Sequence, residues 1–206
     1  MSATASLAET ALARVCTAIA EDRMAVEPDF VALPIVRALA MEARRRDAAG
    51  DFHAARVGRG RERVERADVR GDRTAWLEEC PSVPVEIALH AALGELRAAL
   101  NDALFLGLFL FEGHYAIYPP GAFYRPHRDR FRDDDTRVLS CVLYLNDAWT
   151  HADGGALRFH LDTGAARDVL PLGGTLVCFL ADRFEHEVLP ASRERLSVTG
   201  WFRRRS

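Results

Sequence analysis

The chain has 206 residues, 49% of them hydrophobic, which is enough for one domain with a substantial core. A formal charge of −3 gives no general attraction to nucleic acid or to an anionic membrane. All 27 basic residues are arginine, so lysine Schiff-base and lysine general-base chemistry are excluded.

Leu7, Leu12, Val15 and Ile19 recur at near-helical spacing with Ser6 placed to cap them, so residues 6–22 read as a helix. Glu9, Arg14 and Glu21 interrupt this stretch, which lacks the apolar core of a signal peptide or membrane span. Cys16, Cys80, Cys141 and Cys178 are widely spaced and form no Cys-x-x-Cys pair. Buried free thiols in a cytoplasmic protein are expected. A second helix is expected from Pro28 and Asp29, burying Phe30, Leu33, Val36, Leu39 and Ala40. It ends on Arg44, Arg45 and Arg46, cations that favour the negative end of a helix dipole; a solvated helix end is preferred there to an anion or RNA patch.

Gly50 to Asp72 is the most charged and least apolar part of the chain and reads as a mobile hairpin with too little apolar surface to anchor it. At its base, Arg70 and Asp72 suit either an ion pair or a substrate contact. After the Pro81-Ser82-Val83-Pro84 turn, Ile87, Leu89, Leu93, Leu96 and Leu100 mark a helix over residues 85–101 that can back a sheet. Residues 104–118 are continuously apolar and aromatic and read as a doubly buried strand pair broken near Glu112-Gly113. Pro119-Pro120-Gly121 turns the chain into a strand ending at His127.

From Arg137 to Asn146 the sequence alternates, with Val138, Ser140, Val142 and Tyr144 on one face and Leu139, Cys141, Leu143 and Leu145 on the other. Shorter strands are expected at 156–160, 167–170 and 175–180, punctuated by Gly154-Gly155, Thr163-Gly164 and Gly173-Gly174. Helices followed by many short strands indicate an α+β fold, a sandwich or jelly roll backed by N-terminal helices.

Within that frame, His127-x-Asp129 places an imidazole and a carboxylate at i and i+2, on one face if the chain is extended there. Such a pair proves little alone in a chain with seven histidines. Further on lie His186 and Arg195, on two strands that a turn over Pro190 to Arg193 would place side by side. Two neutral imidazoles and one carboxylate on one side of a divalent metal leave three positions open, which suits Fe(II). A guanidinium nearby is a two-pronged carboxylate binder that cannot lose its proton. His53, His90, His114, His151 and His160 lack a partner at ligand spacing and read as solvent-facing or satisfied strand histidines, while Asp133-Asp134-Asp135 and Arg203-Arg204-Arg205 read as solvated. The chain has no Gly-x-x-x-x-Gly-Lys, dinucleotide fingerprint or Gly-x-Ser-x-Gly.

Across residues 68–203 the sequence resembles the Fe(II)- and 2-oxoglutarate-dependent oxygenases, and within them the prolyl hydroxylases of the hypoxia-inducible-factor type. The matching stretches, in chain order, are Val69-Arg70-Gly71-Asp72 with Trp76, Tyr118-Pro119, Tyr124-x-x-His127-x-Asp129, Tyr144-Leu145-Asn146 with Trp149, Asp153-Gly154-Gly155, His186-Glu187-Val188, and Arg195 through Trp201. The resemblance implies a double-stranded β-helix over 104–206, helical support over 1–103 and a substrate-covering loop at about 50–73. It implies His127, Asp129 and His186 as iron ligands, and Arg195 with Tyr144 as the seat of the distal carboxylate of 2-oxoglutarate. Tyr118 becomes a polar contact near the co-substrate and Thr199 a polar group beside the metal. Trp201, Arg70, Asp72 and Arg137 become substrate contacts.

Fe(II), 2-oxoglutarate and dioxygen are the implied cofactors, with ascorbate as reductant in vitro. The implied reaction hydroxylates a proline of a protein partner and releases succinate and carbon dioxide. A free amino acid or other small molecule is the alternative substrate, and a catalytically idle metal-binding module the alternative function. Pro120 and the segment from Arg128 to Asp135 depart from the vertebrate pattern at the substrate entrance.

Overall fold

The structure is a computed structural model that describes residues 3–57, 64–130 and 136–205. Three helices, α1 (Ala3–Asp22), α2 (Leu33–Ala48) and α3 (Pro84–Leu104), accompany thirteen strands among the described residues. In chain order the strands are β1 (Met24–Glu27), β2 (His53–Ala54), β3 (Arg56–Val57), β4 (Val64–Glu65), β5 (Arg73–Trp76), β6 (Leu110–Tyr118) and β7 (Tyr124–His127). They continue with β8 (Arg137–Tyr144), β9 (Leu157–His160), β10 (Ala166–Val169), β11 (Leu176–Leu180), β12 (Glu185–Val188) and β13 (Arg195–Arg203). No helix among the described residues is long and apolar enough to cross a membrane.

Seven strands form one antiparallel sheet in the order β1-β11-β8-β13-β6-β5-β2, and four form a second in the order β10-β9-β12-β7. The two-residue period of the strands sorts the side chains between two cores. Tyr115 and Ile117, Leu139, Cys141 and Leu143, and Leu176 and Cys178 join Ile19, Leu39, Leu96 and Leu100 of the helices. Their alternates, Ala116 and Tyr118, Val142 and Tyr144, and Val177 and Phe179, meet Leu157, Phe159 and Val188 of the smaller sheet. This is the expected jelly roll with a helical backing, and the expected alternation of β8 is present in it.

Several boundaries differ from the sequence expectation for local reasons. α2 begins at Leu33 because Asp29 adopts a positive φ of 52°, and Pro34, which has no N–H to lose, sits in its first turn. α3 runs on to Leu104, where Phe105 takes a left-handed conformation. The Asn101 amide then bonds both Leu108 N and Leu108 O, so the apolar run contributes one strand, β6, and no strand pair. The segment after α2 is anchored after all: Phe52 and Ala55 are buried, and β2 joins the large sheet through β5, a strand the polar sequence Arg73-Thr74 concealed. β3 and β4 pair antiparallel, and the residues between them, Gly58 and Gly60 included, lie outside the described residues, as does Asp133 to Asp135.

The arginine triplet is engaged with carboxylates: Arg44 with Glu194, Arg45 with Glu42, and Arg46 with Asp51 and Glu86. All four cysteines are free thiols, but Cys80 is exposed. Cys141 and Cys178 are register partners across β8 and β11, with Sγ atoms 3.2 Å apart.

The largest correction concerns β12 and β13, which do not form a hairpin. β12 lies in the small sheet between β9 and β7, whereas β13 lies in the large sheet between β8 and β6. The residues between them carry the chain across the sandwich, so His186 and Arg195 belong to opposite walls.

Candidate metal and anion site

His186 and His127 are register partners on β12 and β7, so both imidazoles leave the small sheet on the same face, with ring centroids 4.3 Å apart. Asp129 is not on the strand: β7 ends at His127, and the carboxylate follows in a bend anchored by the Arg130 N–H donating to Ala181 O. Across the sandwich, the Ser140 hydroxyl of β8 donates to Asp129 Oδ2 at 2.6 Å. His127 Nδ1 is 2.7 Å from Arg125 O, and His186 Nδ1 is 3.2 Å from Phe184 O. A carbonyl only accepts, so each Nδ1 carries the proton and each Nε2 keeps its lone pair.

Those Nε2 atoms lie 3.6 and 3.7 Å from the Asp129 oxygens, and one donor atom from each residue lies within 4.8 Å of the others. Three donors so disposed, with their other atoms hydrogen-bonded, fit a single Fe(II) bound on one face. Burial, aided by His186, lowers the His127 imidazole to about 4, so it is neutral and ready to ligate at pH 7. Burial pushes the Asp129 carboxyl upward, but the two imidazoles and the Ser140 hydroxyl outweigh it and hold the group below its ordinary range.

On the opposite wall Arg195, 2% exposed, has Nε donating to Gly155 O at 2.9 Å. Its guanidinium has no carboxylate within ion-pair distance among the described residues and stands 5.1 and 5.2 Å from the ring centres of Tyr144 and Tyr118. A buried cation without an anion is costly, and a carboxylate from a ligand would complete it. The Tyr144 hydroxyl is fully buried beside it and makes no hydrogen bond; burial pushes its pKa up to about 12, which keeps it a donor. Tyr118, also pushed up by burial, lines the cavity. These groups fit the distal carboxylate of a dicarboxylic co-substrate.

Between the walls lies a cavity of about 660 Å³, lined by the metal donors, Arg195, Tyr118, Thr199 and Trp201. The Thr199 hydroxyl is 3.2 Å from that of Ser197 on the same strand. Arg137 stacks 3.5 Å over the Trp201 ring and donates to Asp129 O at 3.3 Å. Trp201 Nε1 lies close enough to Asp129 to help hold it ionised, short of a formed hydrogen bond.

Arg70 joins Asp72 through two hydrogen bonds of 2.7 and 2.5 Å, and its guanidinium sits 4.3 Å over Tyr124, which in turn stacks on His127 at 3.6 Å. Asp72 thus acts structurally while Arg70 lines the cavity. Because the Asp72 side chain is fully buried, Asp72→Ala leaves a guanidinium unpaired and is expected to destabilise the chain by about 3–5 kcal/mol, measured by urea unfolding.

Three residues were given no part in the site from the sequence: Ser140, Tyr124 and His114. His114 was expected to be exposed or satisfied, yet it lines the cavity, is 3% exposed and has both ring nitrogens unpaired. His90 Nε2 is also unpaired, while His160 pairs with Glu187.

Burial lowers His114 from its ordinary 6.5 to about 4, with Arg70 contributing. The unfolded chain therefore takes the proton first. The stability from keeping this ring neutral is complete above pH 6.5 and is lost as pH falls towards 4. Thermal melts of the metal-free chain are expected to decline across that window, His114 contributing about 3 kcal/mol.

Comparison with known proteins places this geometry in context. A family profile described as the 2OG-Fe(II) oxygenase superfamily matches residues 113–203. A crystal structure of a Pseudomonas putida prolyl-4-hydroxylase is 48% identical, with a TM-score of 0.86, over 95% of this chain and 100% of that one. A Trichoplax adhaerens prolyl hydroxylase, solved with a peptide fragment of the hypoxia-inducible factor oxygen degradation domain, shares the fold at a TM-score of 0.89 and 21% identity, covering 98% and 93% of the two chains. Egl nine homolog 1 of Homo sapiens is 32% identical over 144 residues, 66% of this chain, and the match spans 33% of that relative's length.

Proposed function

This chain belongs to the 2OG-Fe(II) oxygenase superfamily, and on that premise we propose that it hydroxylates a prolyl residue of a protein substrate, releasing succinate and carbon dioxide. The observation that carries the reading is the cavity itself, which joins three convergent metal donors to a buried arginine lacking an acid partner among the described residues. Bound Fe(II) with 2-oxoglutarate supplies the oxidising power that couples dioxygen to insertion of one oxygen into a carbon–hydrogen bond.

The protein's part is to hold, orient and exclude water. His127, Asp129 and His186 grip one face of the metal and leave the other open to co-substrate. Arg195 receives the distal carboxylate with Tyr144 and Tyr118 beside it, so that the reacting end reaches the metal in one orientation. Val142, Leu157 and Val188 keep the interior apolar. Trp201, fixed by Arg137, and Arg70, fixed by Asp72, form the walls that the target residue meets. The segment carrying β2 and β3 borders the cavity and is assigned as a flap over the substrate. A protein is the proposed target, a reading supported by the names of the similar proteins and by the peptide bound to one of them.

The test is succinate formation by the purified chain with Fe(II), ascorbate and 2-oxoglutarate, cell lysate serving as the substrate source and His127→Ala as control. Lysate-stimulated turnover that the substitution abolishes, with one oxygen added to a lysate proline by mass spectrometry, is the expected result. Stimulation by free proline instead would mark a small-molecule oxygenase. Bound iron without succinate under any condition would mark an idle binding module.

A further inference from the structure

One buried polar side chain of the cavity has no part in this scheme. His114 projects from β6 between Trp76 of β5, 4.9 Å away between ring centres, and Trp201 of β13, 5.7 Å away. Register places it there: Trp76 and Thr199 are its partners on the two flanking strands. Neither of its nitrogens has a hydrogen-bond partner, although the ring is 3% exposed and borders the cavity. Two other orphan polar atoms at the site have a charged group beside them, Trp201 Nε1 near Asp129 and the Tyr144 hydroxyl near Arg195. His114 makes no ion pair among the described residues. A leucine would fill the same space without leaving a donor and an acceptor unsatisfied, so the imidazole weakens the fold where it stands.

What it can bind follows from its chemistry and from the reading of the preceding section, on which this inference rests. Burial, with Arg70 and Arg137 outside contact and against the pull of Asp72 and Asp129, disfavours the imidazolium, so the ring is neutral and offers one donor and one acceptor. A prolyl residue inside a peptide has no amide hydrogen, so its polar atoms are the flanking carbonyl oxygens, which accept. Free proline instead brings a carboxylate and an ammonium, and a neutral imidazole can hydrogen-bond to such ions but carries no charge to pair with either.

We propose that His114 is a specificity-determining residue whose ring N–H donates to a backbone carbonyl beside the target proline, admitting peptidyl proline in preference to free proline. The two tryptophans then flank the pyrrolidine ring while His114 reads the backbone next to it.

The test uses the full chain loaded with Fe(II) and 2-oxoglutarate under nitrogen, with a synthetic peptide centred on the proline that gains oxygen in the lysate experiment. Calorimetry is expected to give a peptide Kd about tenfold weaker for His114→Leu, with 2-oxoglutarate affinity unchanged. His114→Gln, whose amide also carries a donor and an acceptor, restores the affinity. In air the same loss falls on the peptide KM while kcat holds.

Without metal, His114→Leu is expected to melt above the wild type, as befits a residue kept for binding at the expense of stability. Equal peptide affinity in the wild type and His114→Leu overturns the assignment and leaves the prolyl activity standing. A leucine variant that melts lower and binds both ligands weakly marks His114 as structural and also overturns it. A wild-type chain with no prolyl peptide substrate overturns the proposed activity, and this inference with it.

Discussion

Arg195→Ala is expected to raise the 2-oxoglutarate concentration needed for half-maximal turnover by two to three orders of magnitude while leaving metal affinity unchanged. The guanidinium is almost wholly buried and has no acid partner among the described residues, so a ligand carboxylate entering beside it is paired at once. Without Arg195 that carboxylate must shed its water against Tyr144, Tyr118 and apolar walls. Removing one member of a buried ion pair costs about 3–5 kcal/mol, and each 1.4 kcal/mol is tenfold, which sets the size of the effect. The ligand-free chain should respond differently. It loses one hydrogen bond to Gly155 O but also loses an unpaired buried charge, so its Tm is expected to change little. A large fall in Tm together with unchanged 2-oxoglutarate dependence would show that Arg195 serves the fold alone.

Asp129→Asn is expected to weaken metal binding by more than a hundredfold and to take turnover with it. The substitution is nearly isosteric, and its carbonyl oxygen can still accept from Ser140, so packing is preserved. What disappears is the negative charge between the imidazoles of His127 and His186. Losing a group that merely orients a ligand costs about 10–100-fold in metal affinity, so losing the only anionic donor must cost more. Titration of the metal-free variant with Fe(II) under nitrogen measures this, and an unchanged Kd would remove Asp129 from the donor set.

Residue types along short windows were legible in the sequence; relations across the sandwich were not. The alternation from Arg137 to Tyr144 correctly separated Val142 and Tyr144 from Leu139, Cys141 and Leu143, because a period of two is a local property. His127, Asp129, His186 and Arg195 stood out through their chemistry and order. Their mutual placement depended on pairings between distant parts of the chain. The eight residues between His186 and Arg195 read as a hairpin turn, and the crossing between sheets shows only in the order of the strands. Asp129 lies in a bend held by Ala181, far away in sequence. His114 escaped notice because its neighbours, Trp76 and Trp201, come from strands on either side of β6. β5 escaped because four residues of mixed polarity signal a strand only once β6 is beside them.

The unequal anchoring of the two walls bears on how the site moves. β13 is paired over nine residues with β6 and over seven positions with β8, and it carries Arg195, Thr199 and Trp201. β7, which carries His127, registers with β12 at two positions on either side of an irregularity, and its other side is held by a bridge of Tyr124 to Arg70 and by Arg125 N–H donating to Val69 O. Amide hydrogens at the centre of β13 are expected to exchange with solvent only when the whole sandwich opens, and those around His127 sooner, through local excursions. The wall that holds the co-substrate anion is therefore expected to open only with the fold itself, and the amides around His127 to gain protection when the metal binds.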